Sequence, residues 1–360
     1  MMGVGSMERK TKLINFNELR PGMVIAKNVE QGRQILLKKD FAITNSAIQK
    51  LKRTLFLDRI EVYDDMVTNE DKIERKKIKE YEKIDENFKE ISTRLQRTFR
   101  LITNPTGSTL NELKEFSERI QNEMRPSSMI IKNIVLQGSG EDSIYRHGVN
   151  VAALSALIGK WIGMEPKDIN RLIYSAILHD FGKTKIDKEI LKKNGALTTS
   201  EFEVIKTHTT LGYKMLKDVS YLDKSVLYGV VMHHEREDGS GYPLSLKGEA
   251  IHQFGKIIAI ADVFDAINSN RGYKKKKPPF EALQIVKNES LGKLNYEYSK
   301  VFIEHIVNYY LGEEAILNSG ERCKIIQMNV NNLEKPLILK KNEFIELTKE
   351  KNLYIEELVL

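Results

Sequence analysis

Ala176-Ile177-Leu178-His179-Asp180-Phe181-Gly182-Lys183 sets an imidazole and a carboxylate side by side at the end of an apolar helix. Leu172, Ile173, Ala176 and Ile177 recur at helical spacing, and His179 and Asp180, three and four positions after Ala176, continue that buried stripe. An ionised carboxylate left bare in apolar surroundings costs on the order of several kcal/mol, so Asp180 calls for cations, supplied by Lys and Arg or by metal. Taken alone, such a pair is more often a satisfied polar pair in a core than a metal site.

Working outward, the same oddity repeats on other helices. His147 is followed at helical spacing by Val151, Leu154 and Ile158. His208 is flanked by Val204, Ile205, Leu211 and Met215, in a helix that Thr198 or Ser200 can cap with Glu201 or Glu203 three residues on. His233 and His234 extend the stripe of Leu227 and Val230. Asp262 lies inside the very apolar run Ile257 to Phe264, with Asp265 one turn further. Each group by itself is accounted for by a hydrogen bond in a core; metal ligation accounts for all of them together.

The five imidazoles of His147, His179, His208, His233 and His234 and the two carboxylates of Asp180 and Asp262 exceed what one ion with open positions takes. They suit two ions about 3.5–4 Å apart that share a bridging carboxylate, for which Asp180 is the candidate. Such a pair would activate water and leave positions for phosphate oxygens, the machinery of phosphoester hydrolysis. Mixed nitrogen and oxygen donors without Cys point to two divalent ions, Fe, Mn or Zn before Mg. Lys183, Arg271 and Lys274 are cations for a phosphate, although a solvated basic loop alone would explain the last two. Glu235 to Pro243 is a Gly/Pro-containing loop leaving the paired histidines, a rim or lid on which Tyr242 either stacks a base, docks a protein, or packs on its own domain.

The bulk numbers agree with a globular protein of more than one domain: 360 residues, 41% hydrophobic and 30% charged. No apolar run approaches the roughly 18–20 residues that span a bilayer, and the first ten residues lack a signal-peptide core, so a cytoplasmic location is expected. The single Cys323 excludes an intrachain disulfide framework. A net charge of +7, spread over mixed Lys/Glu helices, argues for anionic ligands but not for DNA.

Along the chain, residues 1–66 read as a small β-containing regulatory domain, with a turn and strand over Leu19 to Ala26, strands at Gln34 to Leu37 and Arg59 to Tyr63, and a short helix over 46–55. Residues 67–104 read as a helical linker. Its seam of Tyr81, Ile84, Phe88, Ile91, Leu95 and Ile102 fits a coiled coil joining two copies through residues 70–103, or equally a helix lying on its own domain. Residues 105–312 are a succession of amphipathic helices, a helical bundle, and 313–360 a short β extension with strands at Lys324 to Met328 and Pro336 to Leu339. The fold class is therefore mainly α with small β pieces at both ends.

In this order, Arg146-His147, His179-Asp180-Phe181-Gly182-Lys183, Lys206-Thr207-His208, His233-His234-Glu235-Arg236, Asp238-Gly239-Ser240-Gly241-Tyr242-Pro243 and Ala261-Asp262-Val263-Phe264-Asp265-Ala266, with Arg271 and Lys274, resemble the HD-GYP family. This is the bacterial cyclic di-GMP phosphodiesterase branch of the HD phosphohydrolases, and the match covers residues 111–312. The resemblance implies an HD-type catalytic domain in which His147, His179, Asp180 and Asp262 hold one metal and Asp180, His208, His233 and His234 the second, with Fe or Mn favoured. A hydroxide shared by the ions would attack phosphorus in line, Lys183 assisting, with Arg271, Lys274, Tyr242 and Asp238 on the substrate side. Cyclic di-GMP would open to pGpG and, if cleavage continues, GMP. Members with a third metal carry a glutamate one turn before the first histidine; Ser143 stands there, so two ions are expected. The same resemblance leaves a diguanylate cyclase as partner for the Gly241-Tyr242-Pro243 loop. The alternatives are hydrolysis of another ring, such as a mixed GMP-AMP one, and a sensor that binds without cleaving.

Overall fold

The computed structural model describes residues 11–15, 18–31, 34–44, 47–48, 59–63, 69–102, 107–123, 127–139, 144–193, 195–269, 277–329 and 332–359. Two compact units divide the chain, Met1–Lys83 and Ile84–Leu360.

The first unit holds β1 (Thr11–Asn15), β2 (Val29–Gln31), β3 (Gln34–Leu37) and β4 (Arg59–Tyr63). Antiparallel pairing of β1 with β4 sets Ile14 opposite Ile60, and β2 pairs with β3 in the same sense. Ile14, Ile25, Ile43, Ile60 and Val62 form the core. The strand expected within Leu19 to Ala26 shrinks to two isolated bridges, Val24 with Ala42 and Ile25 with Val62. This segment divides its backbone bonds between two neighbours, Ile25 N–H going to Phe41 O and Ala26 N–H to Glu61 O, so no ladder lengthens. Of the helix expected over 46–55, Ala47 and Ile48 are helical and the rest lies outside the described residues.

Helix α1 (Asn69–Leu101) is the long helix its charge and seam predict. From Ile84 onward the seam is filled by its own unit: Ile84, Phe88, Ile91 and Leu95 are buried, and Phe99 meets Tyr145 and Phe181 edge-on at 5.4 and 4.9 Å. Arg94 grips both oxygens of Glu115 at 2.5 and 2.7 Å, on α2 (Gly107–Glu118). Arg119, in the π-helical turn Arg119–Glu123 that follows, binds Glu90 and Asn87. From Ile84 on this is the second of the two readings, a helix lying on its own unit, with the apolar surface of the seam spent within one chain.

The bundle continues with α3 (Ser127–Gln137), α4 (Ile144–Trp161), α5 (Pro166–Leu178), a 3₁₀ turn (Phe181–Lys185), α6 (Lys188–Leu191), α7 (Thr199–Lys206), α8 (His208–Leu216), α9 (Lys224–Met232), α10 (Gln253–Asn268), α11 (Pro279–Glu289) and α12 (Tyr296–Tyr310). Every residue of α4 from Arg146 to Gly159 is buried, as is the run Phe254 to Ala261 of α10. Helices buried on all faces belong at the centre of a bundle, and these two pack on each other and on α5 and α9. Each carries polar residues that the centre must then accommodate.

At the C-terminal end, β5 (Glu314–Leu317), β6 (Arg322–Gln327), β7 (Leu337–Lys340), β8 (Glu343–Glu346) and β9 (Ile355–Leu358) form one antiparallel sheet in the order β8-β7-β6-β5-β9. Only β6 and β7 stand out in the sequence. The sheet is docked to the helices by Lys132 to Glu313 at 2.5 Å and by the Leu333 amide to Gln284 at 3.0 Å.

Candidate metal centre

Three of the histidines stand where a helix stops. His179 follows α5, His233 follows α9, and His208 comes two residues after the end of α7. Each Nδ1 lies against the carbonyl three residues back: Ala176 at 2.6 Å, Val230 at 2.8 Å and Ile205 at 2.6 Å. The last turn of a helix leaves carbonyls in need of donors. A carbonyl only accepts, so Nδ1 carries the proton and Nε2 keeps a lone pair. His147, in the first turn of α4, achieves the same state differently, its Nδ1 lying 2.7 Å from Oδ2 of the buried Asp265.

These Nε2 atoms converge on Asp180. Oδ2 of Asp180 lies 3.4 Å from His179 Nε2 and 3.7 Å from His147 Nε2, while Oδ1 lies 3.4 Å from His208 Nε2. The Nε2 atoms of His208 and His233 face one another at 3.3 Å. Two groups able to hold a cation result, His147 with His179 and Asp180, and Asp180 with His208, His233 and His234. Asp262 completes the surround, Oδ1 at 3.0 Å from His147 Nε2 and Oδ2 at 3.9 Å from His234 Nδ1. His234 and Asp262 keep 17% and 13% of their side-chain surface exposed, and so mark the open side of an otherwise closed pocket.

Whether these residues fit a metal can be judged from their unmet bonds. His179 Nε2 and Asp180 Oδ1 are buried without a hydrogen-bond partner, an arrangement costing about 1–3 kcal/mol per group unless something answers it, and His147 Nε2 faces the Asp262 carboxylate at 3.0 Å. Lone pairs on neutral imidazoles and an ionised carboxylate are what a divalent cation requires. The donor set fits.

Electrostatics keep most of it in that state. Burial pulls His208 down to about 4, with the Lys183 ammonium adding to the effect. Burial and the neighbouring histidines hold His233 and His234 well below the usual imidazole range. Burial disfavours the charge on Asp180, but Lys183, His179 and His208 outweigh it and keep the carboxyl well below its ordinary value. His147 goes the other way: burial lowers it, but Asp262 and Asp265 raise it further, to about 9.

The 3₁₀ turn after Asp180 needs Gly182, because a Cβ there would meet His208 O at 1.9 Å. Close approach of the turn to the start of α8 therefore requires it. Lys183 does turn back, its Nζ 2.6 Å from Asp180 Oδ2 and its side chain 19% exposed. Thr198 caps α7 with Glu201 in a reciprocal box, as the spacing predicts.

The loop beyond His234 is tied down from within. Glu235, buried, accepts the amides of Leu244 at 2.6 Å and Leu246 at 2.9 Å. Gly241 lies against the backbone of His234 to Arg236, where a Cβ would come within 2.5 Å. Tyr242 is half-buried and stacks on His234 at 4.7 Å, so its ring is turned toward the site, and the exposed tip of the loop is Leu244 and Ser245. Asp238 is exposed and accepts the amide and hydroxyl of Ser240, shaping its own turn. Arg271, Lys274 and Ser143 lie outside the described residues. Asp265 and Glu235 are the supporting residues that periodicity alone does not single out. The visible signal is that Asp265 repeats the polar position of Asp262 one turn on.

A helical bundle that turns helix-end imidazoles onto a shared buried carboxylate brings together a donor set that could hold divalent cations. Residues 119–295 match the HD domain family model, and this part of the chain is an HD domain. Over 164 residues the chain is 41% identical to a cyclic di-GMP phosphodiesterase of Thermotoga maritima, covering 44% of this chain and 43% of that protein. Over 189 residues it is 33% identical to a 3'3'-cGAMP-specific phosphodiesterase of Vibrio cholerae, covering 52% of this chain and 43% of that one. The chain thus spans less than half the length of either relative. Among solved structures, Bd1817, an HDG"Y"P protein from Bdellovibrio bacteriovorus, shares the fold with a TM-score of 0.52 at 17% identity, over 82% of this chain and 99% of that one. No described helix is long and apolar enough to cross a membrane.

Proposed function

We propose that the chain is a metal-dependent phosphodiesterase that opens cyclic di-GMP to linear pGpG. The observation that carries this reading is Asp180, which offers one oxygen to His147 and His179 and the other to His208. His147, His179, Asp180 and Asp262 would hold one divalent ion, and Asp180, His208, His233 and His234 the second, with Fe or Mn favoured by a mixed nitrogen and oxygen donor set. When bound there, the two cations would supply Lewis-acid activation of water and of the phosphate.

The rest falls to the chain. Hydrolysis joins a water oxygen to phosphorus and releases a ribose oxygen, which takes up a proton, and negative charge grows on the phosphate meanwhile. Lys183, held by Asp180 at the mouth, supplies positive charge there. Tyr242 walls the pocket beside His234 and limits bulk water. Arg271 and Lys274 are assigned to gripping the phosphate, neutralising charge on it and on the leaving oxygen. The Thermotoga maritima and Vibrio cholerae relatives both bear names of cyclic dinucleotide phosphodiesterases, which supports the substrate class, and the second favours a mixed GMP-AMP ring as the alternative substrate.

The test is to reconstitute the purified chain anaerobically with Fe(II) or Mn(II), add cyclic di-GMP or the mixed ring, and follow products by chromatography. Linear dinucleotide is expected, and its ratio between the two rings decides the substrate. Tight binding without turnover under every metal would replace the enzyme by a sensor.

A further inference from the structure

A chain of buried polar contacts leads away from His147 to the long helix. Asp265 Oδ2 faces His147 Nδ1 at 2.7 Å and also accepts the Ser139 hydroxyl; its Oδ1 accepts Asn150 Nδ2 at 2.7 Å. Asn150 Oδ1 accepts Arg146 Nε at 3.1 Å. Nη2 of Arg146 donates to Asn133 Oδ1 at 2.6 Å and reaches Asp85 Oδ1, on α1, at 3.4 Å. Asn133 Nδ2 donates to the same Asp85 oxygen at 3.2 Å. The guanidinium lies over the Phe88 ring at 4.7 Å, so two residues of α1, one turn apart, hold it. Arg146, Asn133, Asn150 and Asp265 are all buried.

The direction of every bond in this chain is determined by its first member. A guanidinium only donates, so it fixes Asn150 with its oxygen toward Arg146 and its NH₂ toward Asp265. Asp265, an acceptor on both oxygens, then demands a proton on His147 Nδ1, which leaves the Nε2 lone pair for the pocket. The helix-end histidines obtain this orientation from a local carbonyl; His147, in the first turn of α4, where carbonyls are taken up by the helix itself, has none to spare.

We propose that Asp85 and Arg146 are positioning residues for His147, making α1 a structural part of the cation site that His147 shares with His179 and Asp180. The proposal rests on the metal-dependent reading above. Loss of the Asp85 carboxylate or the Arg146 guanidinium frees Asn150 to rotate, and His147 loses its fixed tautomer and ring angle. Partners of this kind change metal affinity by about ten- to a hundredfold.

The test titrates the metal-free full-length chain with Mn(II), reading free and spin-coupled Mn(II) by electron paramagnetic resonance. Wild type is expected to bind two coupled ions. Asp85→Asn, which keeps size and shape, and Arg146→Met should weaken one site about ten- to a hundredfold and abolish the coupled signal, with the other site unchanged. Arg94→Gln is the control: it loosens the same helix from Glu115 without touching the chain, so it should lower the thermal midpoint and leave both sites intact. If Arg146→Met does not fold, Asp85→Asn alone decides. Two sites of wild-type affinity in the Asp85→Asn protein would overturn the proposal, as would parallel weakening of both sites in the control. A wild-type chain that binds no Mn(II) would instead remove the metal-dependent reading itself.

Discussion

Gly182 and His208 are in backbone contact: a side chain on Gly182 would place its first carbon 1.9 Å from the His208 carbonyl oxygen. The turn that follows Asp180 and the helix that begins at His208 are thereby locked together, and with them the two groups of ligands. Gly182→Ala forces them apart. Overpacking of this kind costs about 1–3 kcal/mol and sometimes more. The variant is expected to melt lower and to bind Mn(II) more weakly, as calorimetry would record; unchanged affinity would mean that the contact yields without disturbing the ligands.

Asp180→Ala removes the side chain that, among the described residues, is common to both candidate ligand groups. It is expected to abolish both metal content, measured by elemental analysis, and hydrolysis. Two ions still bound in this variant would show that Asp180 does not connect the sites.

Glu235 is the internal tether of the loop that carries Tyr242. Glu235→Ala leaves the Leu244 and Leu246 amides without their acceptor, a loss of about 0.5–1.5 kcal/mol per hydrogen bond where water can take its place. Faster hydrogen exchange at those two amides is expected, with a raised KM for the cyclic dinucleotide. Exchange at the wild-type rate would mean the loop is held by other contacts.

Glu201 supplies an acid-side pH dependence. The hydrogen bond to the Lys193 ammonium, then the Thr198 amide, lowers its carboxyl from an ordinary value of 4.5 to about 2. A group depressed in the folded state stabilises fully above its unfolded value and less as pH falls through the window toward its folded value. The thermal midpoint should therefore fall from about pH 5 to about pH 3 more steeply in wild type than in Glu201→Gln. Parallel curves would mean that the capping box is not retained in solution.

The candidate ligands were legible because each breaks an apolar helical stripe, and the bundle because its helices alternate cleanly. Asp265 stayed in the shadow of Asp262, since one more acid on the same face of α10 does not reveal which of the two meets His147 Nδ1. Asn150 was invisible: a neutral amide one turn past His147 carries no signal until Arg146 orients it. The need for glycine at 182 depends on where a carbonyl 26 positions later arrives, which no local pattern contains. Strands β8 and β9, Glu343-Phe344-Ile345-Glu346 and Ile355-Glu356-Glu357-Leu358, are too short and too charged to stand out, and exist because β7 and β5 present them with an edge.

The helix-end histidines have a consequence for what this scaffold can become. At 179, 208 and 233 the ring does two separable things, one nitrogen closing off the backbone and the other serving the pocket. An asparagine at any of these places keeps an N–H for the same carbonyl while withdrawing the lone pair. The architecture can thus lose the proposed chemistry by single substitutions without losing its shape, and the proposed hydrolase would lie one codon away from a receptor for the same ligand.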